Sequence, residues 1–437
     1  MAKLDHSAQR LTRGTRGSAA GKALIYAGML TAPWLTVRPF ANTTVSDFLF
    51  LAAAVWALFA HRPNNPNRLS AMWTGAYLFT MGGLLSLAQL GSALAGAAVV
   101  IRILLIMLIL PQTLKSLLSD EQAAATSFLW FTLGCGISGA VAVLQAVFGW
   151  SFSTSSETSL GRLPGLAQHV NDQGGQLAAA ASFAAVALMT GIWRQRAATA
   201  GAVALVLCFL GLILSGSVTG MGSTLIGLLG GAVLSRVRLT QALKWLFFGT
   251  VACCALLLAQ ARLVPASTNP LQRLLQSTGH TAYSQQDTLA SRIETDRVAL
   301  TWISERPITG RGFDPQNDMA VGTVAIHNLI LGFWALGGVI SMIGLVVWLG
   351  GAFARAWMQR RNALGPALAA MIAESVFSMT APIEYQRYFW LPFVVVYSLR
   401  SHATTRTVVG QPRSAHAPGD RNDLVKSIGP HLNARST

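Results

Sequence analysis

Charge is what this chain has least of. Asp, Glu, Lys and Arg make up 11% of its 437 residues, against about 25% in a soluble globular domain. With 52% hydrophobic residues and a mean hydropathy of +0.49, that shortage excludes an ordinary water-soluble globule. Lysine is scarcer still, five residues beside 27 arginines. The 16 acidic residues nowhere gather with metal-ligand spacing, so neither a metal nor another cofactor is expected. Cys135, Cys208, Cys253 and Cys254 all lie in apolar runs, which excludes a disulfide framework and suits small buried hydrophobes. The period-2 alternation of a β-barrel is missing, and so is any internal repeat.

What remains is apolar runs of helical length, each near the roughly 20 residues that a spanning helix needs. The sequence predicts an all-α integral membrane protein, a bundle of about 12 transmembrane helices. The segments are 23–37, 45–60, 70–90, 94–111, 125–148, 174–192, 198–214, 219–234, 243–261, 328–351, 363–380 and 385–399. Pro33 interrupts the first. With both termini in the cytoplasm, 22 of the 32 basic residues fall on the cytoplasmic side and nine outside, with Arg102 inside a span. Every lysine is then inside, as the positive-inside rule demands. The formal charge of +16 therefore points to anionic membrane lipid rather than nucleic acid. The expected organisation is a basic tail (1–22), a membrane domain (23–400) with periplasmic loops 149–173 and 262–326, and a disordered cytoplasmic tail (401–437).

The long loop between spans nine and ten is the polar exception. It holds Arg262, Arg273, Arg292, Arg297, Arg306 and Arg311, no lysine, and closes on His327-Asn328. Arginine forks onto phosphate oxygens with paired N–H donors, so a phosphate or diphosphate partner is implied. Residues 288–305 predict a surface helix with an apolar stripe at Leu289, Ile293, Leu300 and Ile303 and an Arg292–Asp296 pair. Pro307 ends it. The turn Pro307-Ile308-Thr309-Gly310-Arg311-Gly312-Phe313 either lies on the membrane surface or offers its N–H groups to an anion. His327 is either a helix-start anchor or a base able to take a proton from a hydroxyl. In the shorter loop, Gly161-Arg162-Leu163-Pro164-Gly165 precedes His169-Val170-Asn171-Asp172. Asn171 or Asp172 is there either a helix cap or a ligand. Arg102, costly in lipid, is expected to pair with Glu374, or else with Asp47.

These elements together resemble the O-antigen ligase and polymerase superfamily. Ser291-Arg292, then Pro307-Ile308-Thr309-Gly310-Arg311-Gly312, then His327-Asn328 is similar to that family's "R…P-L-x-G-x-G…H-N" pattern. GRLPGLAQHVND is similar to its earlier "R-x-x-G…P-N" element, with Val170 where proline is usual. The sequence departs again at Leu214-Ser215-Gly216-Ser217-Val218, where Val218 replaces a frequent arginine. The resemblance implies a bacterial inner-membrane transferase. Its donor is an undecaprenyl-diphosphate-linked glycan, and its acceptor a glycan repeat or the lipid A core. Membrane lipid and other polysaccharide assembly proteins are the implied company. It implies metal-independent, inverting chemistry with His327 and Arg292 catalytic. Arg162, Arg297, Arg311, Asn171 and Asn328 would then bind substrate, with polymerase slightly preferred to ligase. A 12-span glycan transporter and a structural scaffold are the rival classes. A carrier built from two six-span halves would place its large loop centrally and inside, unlike this one.

Overall fold

The computed structural model describes residues 19–39, 43–60, 70–89, 91–118, 121–150, 162–237, 240, 288–321, 324–360, 364–382 and 386–399. The expected ninth span, both tails up to residue 18 and from 401, and Arg262 and Arg273 lie outside these residues. Elsewhere each expected span overlaps a helix, the first only in part, because its helix ends at residue 31. In chain order these are α1 (19–31), α2 (Val45–Ala60), α3 (Ser70–Leu87), α4 (Ala93–Leu117), α5 (Glu121–Phe148), α6 (Val170–Thr190), α7 (Gln195–Ser215) and α8 (Val218–Leu234). After the long loop's own helix, α9 (Thr288–Glu305), come α10 (Leu329–Met358), α11 (Leu364–Phe377) and α12 (Arg387–Ser398). Among the described residues, α4, α5, α7 and α10 are long and apolar enough to cross a membrane by length and composition, and α2, α8 and α11 are shorter apolar helices. The molecule is a helical membrane protein, and the described residues add one small exception to the all-α expectation. β1 (Met319–Val321) pairs antiparallel with β2 (Val324–Ala325) just ahead of His327.

Helix packing follows the small residues. α3 lies along α10, α5 along α7, and α6, α8 and α11 pack on one another. Close approach without side chains is how helices associate where lipid removes the usual hydrophobic drive. It matters most between α6 and α8. A Cβ on Gly220 would stand 2.9 Å from the Cα of Gly174, and one on Gly174 would strike the Ser217 hydroxyl. This backbone contact sets the first turn of α6 beside the N-terminus of α8.

Local breaks also have chemical causes. In α4, Leu105–Ile109 forms a π turn in which the Leu110 N–H reaches the Leu105 carbonyl. Pro111 has no N–H to give the Met107 carbonyl four residues back, and the Trp348 indole donates to that oxygen instead, at 3.2 Å. In α10, Gly338 takes φ 72°, and a Cβ there would collide with the Ile308 carbonyl oxygen. The Pro307–Phe313 turn docks onto this break. Arg311 N–H donates to Ala335 O (2.9 Å), Gly312 N–H to Leu336 O (2.8 Å), and Val339 N–H to Pro307 O (2.9 Å). Phe313 is buried between Phe79 of α3 and Phe333 of α10, at ring-centre distances of 5.6 and 5.7 Å.

Three expectations change here. The N–H groups of Gly310, Arg311 and Gly312 are committed to carbonyls of Arg306, Ala335 and Leu336, so the glycine turn is a clamp on a broken helix and not an anion cradle. α9 spans the expected residues but buries Thr295, Ala299 and Ile303, leaving Ile293 and Leu300 about half exposed. Its buried face is fixed by contact with Ile326, Leu331, Trp334 and Ala335, which α9's own periodicity cannot show. Lastly, Asp47 pairs with Arg387, while both carboxyl oxygens of Glu374 are buried without a hydrogen-bond partner among the described residues. The expected Arg102–Glu374 pair gives way, and α12 brings Arg387 to Asp47 in the first turn of α2.

Candidate active site

The α6–α8 contact brings two arginines onto one short turn. Arg162, 6% exposed, donates from Nε to the Ser215 carbonyl (2.9 Å) and from Nη2 to Asn171 Oδ1 (3.0 Å). Arg292 reaches from α9 to the other side of the same turn, Nη1 to Thr219 Oγ1 at 3.4 Å. The residues between are the Ser217 cap and the N-terminus of α8, where Ser217 Oγ accepts from the Gly220 N–H. Val218, at the place of the family's frequent arginine, is 36% exposed. Charge that the turn itself lacks is thus supplied from the two loops that flank it. The positive end of the α8 dipole adds to it.

His327 completes the group. It is half-buried at the end of β2, and its Nδ1 makes no hydrogen bond among the described residues. Burial pushes its pKa down to about 4, and the charges of Arg292 and His169 push the same way, against the nearby Ala325 backbone. The ring is therefore neutral at neutral pH and basic in form. His169 caps α6, its Nδ1 accepting from the Asn171 N–H at 3.1 Å. The cap expected of Asn171 or Asp172 belongs to this histidine.

Asp172 stands in the first turn of α6, ahead of the span expected at 174–192. Burial raises its carboxyl to about 6, countered by His169, by the Tyr388 hydroxyl (O–O 3.2 Å) and by Arg38. Arg38 in turn donates to Gln168. A second proton-exchanging group thus lies near His169, which also influences His327.

Among the residues singled out in the sequence, the structure joins Arg162 to Asn171 and sets Arg292 close enough to His327 to oppose its protonation. The others stand apart. Arg297 is 74% exposed and faces Glu294 at 3.8 Å. Arg311 stacks on the Trp302 ring, 4.0 Å from its centre. Asn328 caps α10, its Oδ1 accepting from the N–H groups of Ile330 (3.1 Å) and Leu331 (3.2 Å). His169, Thr219 and Tyr388 join the site without having been assigned roles from sequence, and Asp172, expected as a cap or a ligand, joins it as a buried carboxyl. Only the cluster His169-Val170-Asn171-Asp172 hinted at two of them, because Thr219 and Tyr388 come from separate helices.

No curated protein matches the chain. A family model described as "O-Antigen ligase" matches residues 202–349, a stretch that runs from α7 to α10 and carries Thr219, Arg292 and His327. Through that region the chain is similar to the O-antigen ligase family.

Proposed function

We propose that this chain transfers a glycan from an undecaprenyl-diphosphate carrier to a sugar hydroxyl at the periplasmic face of the bacterial inner membrane. The observation that carries this reading is a neutral histidine beside arginines that meet on one helix-start turn. In the proposed step the acceptor hydroxyl attacks the anomeric carbon while His327 takes its proton. The anomeric C–O bond breaks on the opposite face, and the bond electrons leave with the carrier diphosphate. Arg292 and Arg162 stabilise the developing charge, the larger share of the catalysis in such sites, and the proton transfer contributes about 10²–10⁴-fold. Inversion at the anomeric carbon follows from a single displacement.

The polymerase reading is preferred to the ligase reading because Val170 and Val218 depart from the family's commoner residues. A deletion strain separates them: loss of a polymerase leaves single repeat units on the carrier, and loss of a ligase leaves finished polymer there. An in-membrane transfer assay with a lipid-diphosphate glycan tests the chemistry. His327→Ala and Arg292→Ala should each cut transfer by about 100-fold or more at normal protein level. Full turnover by His327→Ala would remove the base. Glycan movement in proteoliposomes without transfer would favour the transporter class.

A further inference from the structure

A cavity of about 290 Å³ is walled by α2, α4 and α12, with Arg387, Trp390 and Leu391 of α12 in its lining. Its surface is mainly aliphatic, but three ionic side chains line it: Asp47, Arg102 and Arg387. One carboxylate and two guanidinium groups sum to one net positive charge on the wall. Leu51, Leu105 and Ile109 also line it and are about half exposed, so it opens on the outer, apolar surface of the bundle. In a membrane that surface faces lipid chains. Asp47 and Arg387 sit in the first turns of α2 and α12, near the ends of the helices. Arg102 lies nine residues past the start of α4, about 14 Å along it, and a long arginine stem can carry its head back toward the interface. The groove is thus charged toward one end and aliphatic below, and the π turn Leu105–Ile109 forms part of the aliphatic wall.

We propose that this groove binds a membrane phospholipid whose head carries a single negative phosphodiester, with one acyl chain lying along Leu105–Leu110. The charge decides the class. One net positive charge complements a monoanionic phosphodiester such as phosphatidylglycerol, while a diphosphate head would leave a negative charge uncompensated in an apolar wall. Arginine also suits phosphate oxygens geometrically. The groove and the catalytic residues share α12 but use neighbouring positions on it. Arg387 faces the groove, and Tyr388 donates to Asp172. Residues adjacent on a helix point about 100° apart, so the lipid would buttress the helix that holds Tyr388 without entering the site. This inference does not depend on the proposed transfer reaction.

The test uses the full chain in detergent micelles and a phosphatidylglycerol probe carrying a photoactivatable diazirine in its acyl chain. Labelled peptides are mapped by mass spectrometry. Labelling should fall in residues 47–54 and 102–113 and be displaced by unlabelled phosphatidylglycerol at about tenfold lower concentration than by phosphatidylcholine. Ala54→Trp, which fills the groove, and Arg102→Met, which removes its charge, should each cut labelling about tenfold. Should Arg102→Met fail to fold, Ala54→Trp and Arg102→Lys carry the test, the latter retaining most of the labelling. Equal labelling of wild type and Ala54→Trp would overturn the proposal. So would equal competition by phosphatidylcholine. Competition by undecaprenyl diphosphate at a tenth of the phosphatidylglycerol concentration would assign the groove to the carrier instead.

Discussion

The depressed pKa of His327 makes a prediction about acid tolerance. The specificity constant kcat/KM reports the ionisation of free enzyme groups. An ordinary histidine titrating at about 6.5 is roughly 76% neutral at pH 7 and about 3% neutral at pH 5. A transferase depending on it would lose about 25-fold in that interval. With His327 pushed down to about 4 by burial, Arg292 and His169, the neutral fraction at pH 5 is still about 90%. The expected fall from pH 7 to pH 5 is then only about 10%. The assay is initial-rate transfer from a lipid-diphosphate glycan at subsaturating donor, in buffers of constant ionic strength. In Arg292→Gln, rates are low but the limb should move upward, since one cause of the depression has gone. A 25-fold fall between pH 7 and pH 5 in the wild type would refute the assignment of His327 as the proton acceptor held neutral by its surroundings. A limb near pH 6 that disappears in Asp172→Asn would transfer that role to Asp172, whose carboxyl is raised to about 6.

The two groups also oppose each other in stability. Asp172, raised from 3.8 to about 6, holds more protons folded than unfolded, so its contribution falls by about 3 kcal/mol as pH rises through that window. His327, lowered from 6.5 to about 4, holds fewer, so its contribution rises by a similar amount from pH 4 to 6.5. Wild-type thermal stability in detergent should therefore be nearly flat there, and Asp172→Asn should become more stable with rising pH. A flat profile in Asp172→Asn would count against the His327 value. Gly338→Ala should strain the φ 72° position by about 1–3 kcal/mol and push the Ile308 carbonyl away; limited proteolysis should show the Pro307–Phe313 turn released. Arg297→Ala should leave transfer within about twofold of wild type, since the side chain is 74% exposed, while Arg292→Ala should lose about 10²–10³-fold. Asn328→Ala should cost about 1 kcal/mol of stability through the lost cap, and Asn328→Ser should restore it; a transfer defect persisting in the stable serine variant would reveal a role beyond capping.

Much of this was readable along the chain. Hydropathy marked where helices occur, and apolar runs and helix breakers such as Pro33 and Pro307 marked many of their ends. The end of α9 was legible because Pro307 stops it. Arg292 and His327 were legible as types, one a phosphate-binding cation and the other a neutral-pH base, because the chemistry of a side chain belongs to its residue. The glycine turn misled because Gly-rich loops look alike whether their N–H groups face an anion or a carbonyl. Only the break at Gly338 decides that here, and it lies 26 residues after Gly312. Arg162 looked like one arginine among several until α6 and α8 touched at Gly174 and Gly220.

The sequence by itself determined the class of the molecule, the positions of its helices and the chemical kinds of its polar residues. These depend on composition and short-range periodicity, which any stretch of chain carries alone. Only the tertiary structure decided who meets whom. It put Asp47 on Arg387, Asn328 on its own helix rather than on His327, and Arg162 and Arg292 on the turn before α8. Partner choice is a property of which helices abut and at what depth. That is set by close backbone contacts between residues far apart in the chain, where no local pattern reaches.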